Sequence, residues 1–278
     1  MVRRPPERSS RRLGQNFLAD PNLLDAIVRE AQLERSDVLL EVGGGGGALT
    51  ERLAPEVERV WVVELDERLR PDLEPLAERA GNVSLIWGDA MLVDLGDLAP
   101  PPTKMVANLP YSVATPLLLR TISELPSVAE WVVMVQREIA DRLTAEPGGK
   151  EYGSPSVLVQ LACEVKMLRT VDPAVFVPRP RVGSALIRLR RRGPAPSKDL
   201  AALVRDAFAH RRKSLARSVE LARPGTLQSV RRALTGLGKP ADARAETLSP
   251  EEFEALARAL GDLPVHTTDN SPRVREDS

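Results

Sequence analysis

Reactive side chains are scarce in this chain of 278 residues, which has one cysteine and two histidines. Cys163 alone cannot close an intramolecular disulfide, and His210 with His266 cannot build a zinc cluster or a histidine-based triad. Cys163 therefore reads as a small buried apolar residue. No apolar stretch reaches the length of a membrane span, and the Arg- and Pro-rich start has no apolar signal core, so a cytoplasmic protein is expected. No Gly-Lys-Ser/Thr follows the glycine-rich segment near residue 45, which excludes a nucleoside-triphosphate loop. Net charge is lacking too, with 39 Lys and Arg against 39 Asp and Glu.

The balance conceals a segregation. Residues 179–240 hold 16 Lys and Arg against 3 Asp and Glu, and the first twelve residues hold five Arg against one Glu. A concentrated basic zone suits a polyanion, although a run of Arg can also simply solvate helix faces. With 42% hydrophobic residues the chain is globular and long enough for one large and one small domain.

Hydrophobic patterning divides it further. Residues 1–12 read as a flexible basic arm. A helix opens at Pro21-Asn22, and apolar strands at 38–42, 60–63, 83–87, 105–107 and 131–135 alternate with helices at 48–53, 65–80 and 116–122. Such alternation predicts a mostly parallel sheet covered on both faces. A helix at 156–161 precedes strands at 165–171 and 184–189, which a Pro-rich loop at 173–180 joins as an antiparallel pair. The sheet-bearing first domain is expected over 13–192, short helices form a small domain over 193–260, and 261–278 is a polar tail. Trp61, Trp87 and Trp131 fall on strands and read as core.

The run from Glu41 to Thr50 holds five successive glycines at a strand-to-helix junction, where Gly43, Gly45 and Ala48 fit G-x-G-x-x-A. Glu64 ends the next strand at a position suited to ribose hydroxyls, and Asp89, within Gly88-Asp89-Ala90, ends the third, where it could accept from an adenine amino group. A surface charge and a helix cap are the ordinary uses of those two carboxylates. Taken together, they describe an adenosyl pocket. A nicotinamide dinucleotide is the competing occupant, but no hydride-relay His or Lys is evident. S-adenosylmethionine fits both ends of the pocket.

After the strand at 105–107 stands Asn108-Leu109-Pro110-Tyr111. The Asn108 amide oxygen and the Leu109 carbonyl offer two acceptors for an exocyclic amino group, Pro110 fixes the backbone that presents them, and Tyr111 offers a stacking face. Asn-x-Pro is also common turn chemistry. Arg179, Arg181, Arg211, Arg212, Lys213 and Arg217 are the candidates for phosphate contacts.

These segments resemble the small-subunit ribosomal RNA adenine dimethyltransferases (KsgA type). The likeness runs from Leu13 to about Ser218. It includes Leu13-Gly14-Gln15-Asn16-Phe17-Leu18, the glycine loop, Val63-Glu64-Leu65-Asp66, Gly88-Asp89-Ala90, Asn108 to Tyr111, Met134 to Glu138, Tyr152-Gly153, Phe176 to Ser184 and Phe208 to Leu215. The resemblance implies a Rossmann-like, seven-stranded class I methyltransferase sheet, a small C-terminal all-helical domain, and S-adenosylmethionine-dependent dimethylation of adenine N6 in ribosomal RNA. It implies that Asn16 and Leu18 contact the methionine end of the cofactor, that Gly43, Glu64, Asp89, Ala90 and Asn108 line it, and that Phe176 stacks on a flipped adenine opposite Tyr111. An assembling small subunit is the expected RNA partner; nothing in the sequence suggests an obligate dimer, so a monomer is expected, with no membrane partner and no metal. Earlier elements are shared with enzymes that methylate large-subunit RNA, and a non-catalytic RNA-binding factor could keep the fold. Gly44 departs from the family's usual Pro, which loosens the loop, and Ala216-Arg217 replaces its usual Arg-Asn.

Overall fold

A computed structural model describes residues 17–18 and 20–261. The basic arm, Asn16 and the tail beyond Gly261 lie outside the described residues. The chain divides into two compact units between Pro196 and Ser197.

The first unit is a seven-stranded sheet. Its strands are β2 (Val38–Val42), β3 (Arg59–Glu64), β4 (Val83–Trp87), β5 (Lys104–Asn108), β6 (Glu130–Gln136), β7 (Cys163–Val171) and β9 (Ser184–Arg191), in the order β4-β3-β2-β5-β6-β9-β7. The first five in that order are parallel, and β9 runs antiparallel to both β6 and β7. All five residues of β2 are buried, as a strand covered on both faces requires. Two apolar layers result, one around Met105, Leu117, Trp131 and Ile187, the other around Leu39, Val60, Val106 and Leu186. Chain order runs outward from β2 to β4, then crosses back to β5, so the sheet changes direction between β2 and β5. Ligands of open α/β sheets bind beyond the carboxyl ends of strands at such a point.

Helices flank this sheet. α1 (Pro21–Glu30) starts where Asp20 accepts the Asn22 and Leu23 amides and Pro21 sets the first turn. α2 (Thr50–Leu53) begins later than the pattern predicts because residues 43–49 are spent on the turn. α3 (Arg70–Ala80) is preceded by a 3₁₀ turn at 67–69, capped by Asp66. α4 (Ala114–Glu124), α5 (Arg137–Leu143) and α6 (Ser154–Ala162) complete the layer.

Two short strands were missing from the sequence pattern. β1 (Phe17–Leu18) pairs antiparallel with β8 (Phe176–Val177), matching Leu18 with Phe176. A pair of two-residue strands so far apart in sequence leaves no periodic signal.

The Gly193–Pro196 segment stays with the sheet unit. Ala162 O accepts the Arg192 amide at 2.8 Å, and Ala195 packs on the first apolar layer.

The second unit contains α7 (Lys198–Phe208), α8 (Leu215–Ala222), α9 (Leu227–Gly236) and α10 (Pro250–Leu260). Ser197 caps α7, while Ser249 and Glu252 form a reciprocal capping box on α10. Phe208 and Phe253 pack with ring centroids 5.8 Å apart. A buried ion pair, Arg223 Nε to Asp206 Oδ2 at 2.7 Å, ties the end of α8 to α7. Among the described residues no helix is long and apolar enough to cross a membrane.

Candidate active site

Four neighbouring strands deliver the candidate residues to one edge. Across the sheet, Asp89 follows β4, Glu64 ends β3, the glycine loop follows β2 and Asn108 ends β5. Ladder hydrogen bonds continue into three of these loops, with Gly88 N on Glu64 O (2.9 Å), Gly43 N on Val63 O (2.8 Å) and Leu109 N on Met134 O (3.0 Å). The first residue of each of the three is thus positioned by the sheet.

The glycine loop is built for close approach. Gly43, Gly45 and Gly47 all have positive φ, where a side chain is strained. A Cβ on Gly43 would lie 3.6 Å from Asn108 O and from the Pro110 ring, and one on Gly45 would press to 3.2 Å from the Phe17 ring. Gly43 therefore stands beside the Asn108–Tyr111 turn, with no room to spare for a bulky side chain. Looseness at Gly44 is offset by neighbours: Gly44 O accepts the Gly47 amide at 2.9 Å. A Cβ at Gly44 would meet Val62 Cγ1 at 2.5 Å, so the space a larger residue needs is already filled.

Glu64 is 5% exposed. Its Oε2 accepts the Gly45 amide and its Oε1 the Asp66 amide, each at 2.9 Å. Burial pushes its carboxyl up, against these hydrogen bonds, which hold it down. The Leu65 amide donates to the carboxylate as well, and the acceptor capacity that remains suits a ribose hydroxyl. Asp89 Oδ1 accepts the Met91 amide at 2.8 Å, so its turn-capping use is real and involves one oxygen. Ala90 is buried beside it.

Three residues without a role in the sequence-based expectations stand close by. Leu65 and Leu92 are exposed apolar side chains directly beyond Glu64 and near Asp89. Glu41, on β2, is 1% exposed, accepts the Thr50 hydroxyl at 2.7 Å, and burial with the nearby Glu64 charge pushes its carboxyl up to about 8.

At the other end, Leu109 is buried, Pro110 O accepts the Val113 amide at 3.2 Å and Tyr111 is half-buried. The Tyr111 hydroxyl lies 2.6 Å from Ser184 Oγ. Phe176, expected opposite Tyr111, is enclosed. It is 2% exposed and packed in the apolar layer with Leu18, Met134 and Leu186, on a strand that pairs with β1. A ring so enclosed presents no face to a base in this conformation.

The basic candidates are all exposed. Arg179 has a 3.8 Å ion contact with Asp172, and Arg181 is its neighbour on the same loop. Arg211, Arg212, Lys213 and Arg217 lie between α7 and the first turns of α8. Asn16 falls outside the described residues, whereas Leu18 is buried on β1. Cys163 is buried, which pushes its thiol up to about 11, so it is no nucleophile. Trp131 is fully buried, with its indole N–H on Thr121 Oγ1 at 3.0 Å, while Trp61 and Trp87 are half-buried beneath Arg59 and Arg70.

This sheet order, with carboxylates ending adjacent strands beside a glycine turn, defines a Rossmann-like class I methyltransferase whose methyl donor is S-adenosylmethionine. The family model described as ribosomal RNA adenine dimethylase matches residues 7–258. The chain belongs to that family. It is 44% identical over 256 residues to a ribosomal RNA small subunit methyltransferase A of Rubrobacter xylanophilus, covering 91% of this chain and 95% of that one. A protein of the same name from Bacillus thuringiensis is 40% identical over 263 residues, covering 89% and 90%. Among solved structures, a dimethyladenosine transferase from Plasmodium falciparum superposes with a TM-score of 0.71 at 24% identity over 87% of this chain and 96% of that one, a likeness of fold. The 23S rRNA methyltransferase ErmE superposes with a TM-score of 0.65 at 27% identity over 88% and 99%.

Proposed function

We propose that this protein transfers methyl groups from S-adenosylmethionine to N6 of adenines, two adjacent ones, in small-subunit ribosomal RNA during ribosome assembly. The observation that carries the reading is the close approach of Gly43 to Asn108 and Pro110, where an added Cβ would lie 3.6 Å from both, so that the cofactor loop stands beside the amino-gripping turn. Glu64 holds the ribose and Asp89 the adenine amino group, with Asn16, Leu18, Gly43, Gly45, Ala90 and Asn108 completing the pocket. Bound cofactor supplies a methyl group already activated on a sulfonium. The protein's task is alignment, which contributes on the order of several kcal/mol.

Asn108 Oδ1 and the Leu109 carbonyl accept the two N6 hydrogens of the target, and these bonds strengthen as the nitrogen becomes cationic. No strong base is needed, because the methylated ammonium is acidic. Tyr111 stacks on the extruded base. Phe176, buried on β8, is the second ring assigned to that stack. Arg179, Arg181, Arg211, Arg212, Lys213 and Arg217 bind phosphates, the last four from a helical RNA-binding domain. The protein acts as a cytoplasmic monomer.

Likeness to a 23S rRNA methyltransferase makes large-subunit RNA the alternative target. Methyl transfer to undermethylated small subunits beside large-subunit RNA, read by nucleoside analysis, separates the two. Dimethyladenosine in small-subunit RNA is expected, and Asn108→Ala should lower the rate at least tenfold with little change in cofactor affinity. Labelling of large-subunit RNA alone, or of neither, overturns the assignment.

A further inference from the structure

Arg120, on α4, reaches the adenine end of the pocket from outside it. Its Nη1 donates to Ala90 O at 2.6 Å and its Nη2 to Val93 O at 2.8 Å, while Nε pairs with Glu124 at 2.7 Å. Its side chain is only 15% exposed. The Ala90 carbonyl and the Met91 amide belong to one peptide group, and that Met91 amide is the donor to Asp89 Oδ1 at 2.8 Å. A peptide is planar, so fixing the direction of its C=O fixes the direction of its N–H. Hydrogen bonding of a cation to the carbonyl also polarises the amide toward a stronger donor.

We propose that Arg120 is a positioning residue for cofactor recognition: through the Ala90–Met91 peptide it orients the Asp89 carboxylate, holding Oδ1 on the backbone and leaving Oδ2 for the adenine amino group. Glu124 takes only the Nε donor, so the two Nη groups alone serve the loop. Because α4 begins three residues after Tyr111, the same helix that follows the target-gripping turn also holds the adenine loop. This inference rests on the reading of Asp89 as the acceptor for the adenine amino group.

The test compares two ligands, S-adenosylhomocysteine and its inosine counterpart, which lacks the exocyclic amino group, by titration calorimetry on the full chain. Wild-type protein is expected to prefer the adenosyl ligand. Arg120→Met keeps the apolar stem but removes the donors. It is expected to weaken the adenosyl ligand at least tenfold and the inosyl ligand by less than threefold, collapsing the preference. Arg120→Lys, whose single ammonium cannot serve both carbonyls in the same geometry, should fall between. Adding Arg120→Met to Asp89→Ala should cost nothing further, whereas Glu124→Ala should leave the preference in place. Equal weakening of both ligands by Arg120→Met, or no weakening, overturns the positioning role. A wild-type protein that does not distinguish the ligands overturns instead the reading of Asp89 on which it rests.

Discussion

Tyr111 and Ser184 share a hydroxyl-to-hydroxyl hydrogen bond of 2.6 Å across 73 residues of chain. Ser184 is the first residue of β9, is 1% exposed and pairs with Gln136 on β6, so it is a rigid anchor. The Tyr111 ring is therefore oriented by the sheet, and burial pushes the phenol up, keeping it a neutral hydroxyl. Ser184→Ala should raise KM for RNA by roughly three- to tenfold, the worth of about one hydrogen bond, while S-adenosylhomocysteine affinity stays constant. Tyr111→Phe should match it, and Tyr111→Ala should be worse. Steady-state kinetics on small subunits read the effect, and unchanged KM in both conservative variants rejects the orienting role.

The parallel strands were legible because each is a short continuous apolar run between helices, and the carboxylates were legible because they stand at the ends of those runs. Glu64 and Asp89 fall where the pattern puts them. What escaped was set by distant pairing. The match of Leu18 with Phe176 and the anchoring of Tyr111 by Ser184 have no local sequence signal. Helix α5 escaped for another reason, since seven residues directly after a strand are too few to show helical period.

Gly44 and Val62 should behave as a coupled pair. Gly44→Ala places a Cβ 2.5 Å from Val62 Cγ1, well inside van der Waals contact, and overpacking of this kind costs roughly 1–3 kcal/mol. Val62→Ala removes the obstruction at the expense of a small cavity on β3. The double variant should be more stable than the sum of the single effects by about 1 kcal/mol or more. Urea unfolding of all four proteins measures the coupling, and strict additivity would show that the loop, not Val62, yields.

Glu41 gives stability a pH dependence. In the folded protein burial keeps it protonated up to about pH 8, whereas in the unfolded chain it ionises near its ordinary value of 4.5. Between those values the folded state binds the extra proton, so this group's contribution falls as pH rises, by about 1.4 kcal/mol per pH unit for one proton. Glu41→Gln, which can still accept from Thr50, should remove that slope and gain on wild type as pH goes from 5 to 8. Thermal melts across this range decide it, since parallel curves for the two proteins would mean that Glu41 is ionised when folded.

Arg211, Arg212 and Lys213 form the densest exposed cationic run among the described residues, set between α7 and α8. Their backbone is anchored, with Lys213 N on His210 O at 2.8 Å and Arg211 O accepting from Arg244, so the run is presented by structure as well as by composition. A phosphate neutralised by a cation releases its counterion, so each phosphate left without its Arg or Lys should flatten the salt dependence of binding by about one unit of slope. Changing all three to Glu should weaken small-subunit affinity at least tenfold at low salt and reduce that slope, with S-adenosylhomocysteine binding intact because the cofactor site draws on none of them. Filter binding at several salt concentrations, beside calorimetry with the cofactor product, checks both halves. An unchanged affinity would assign the basic run to a task other than holding RNA.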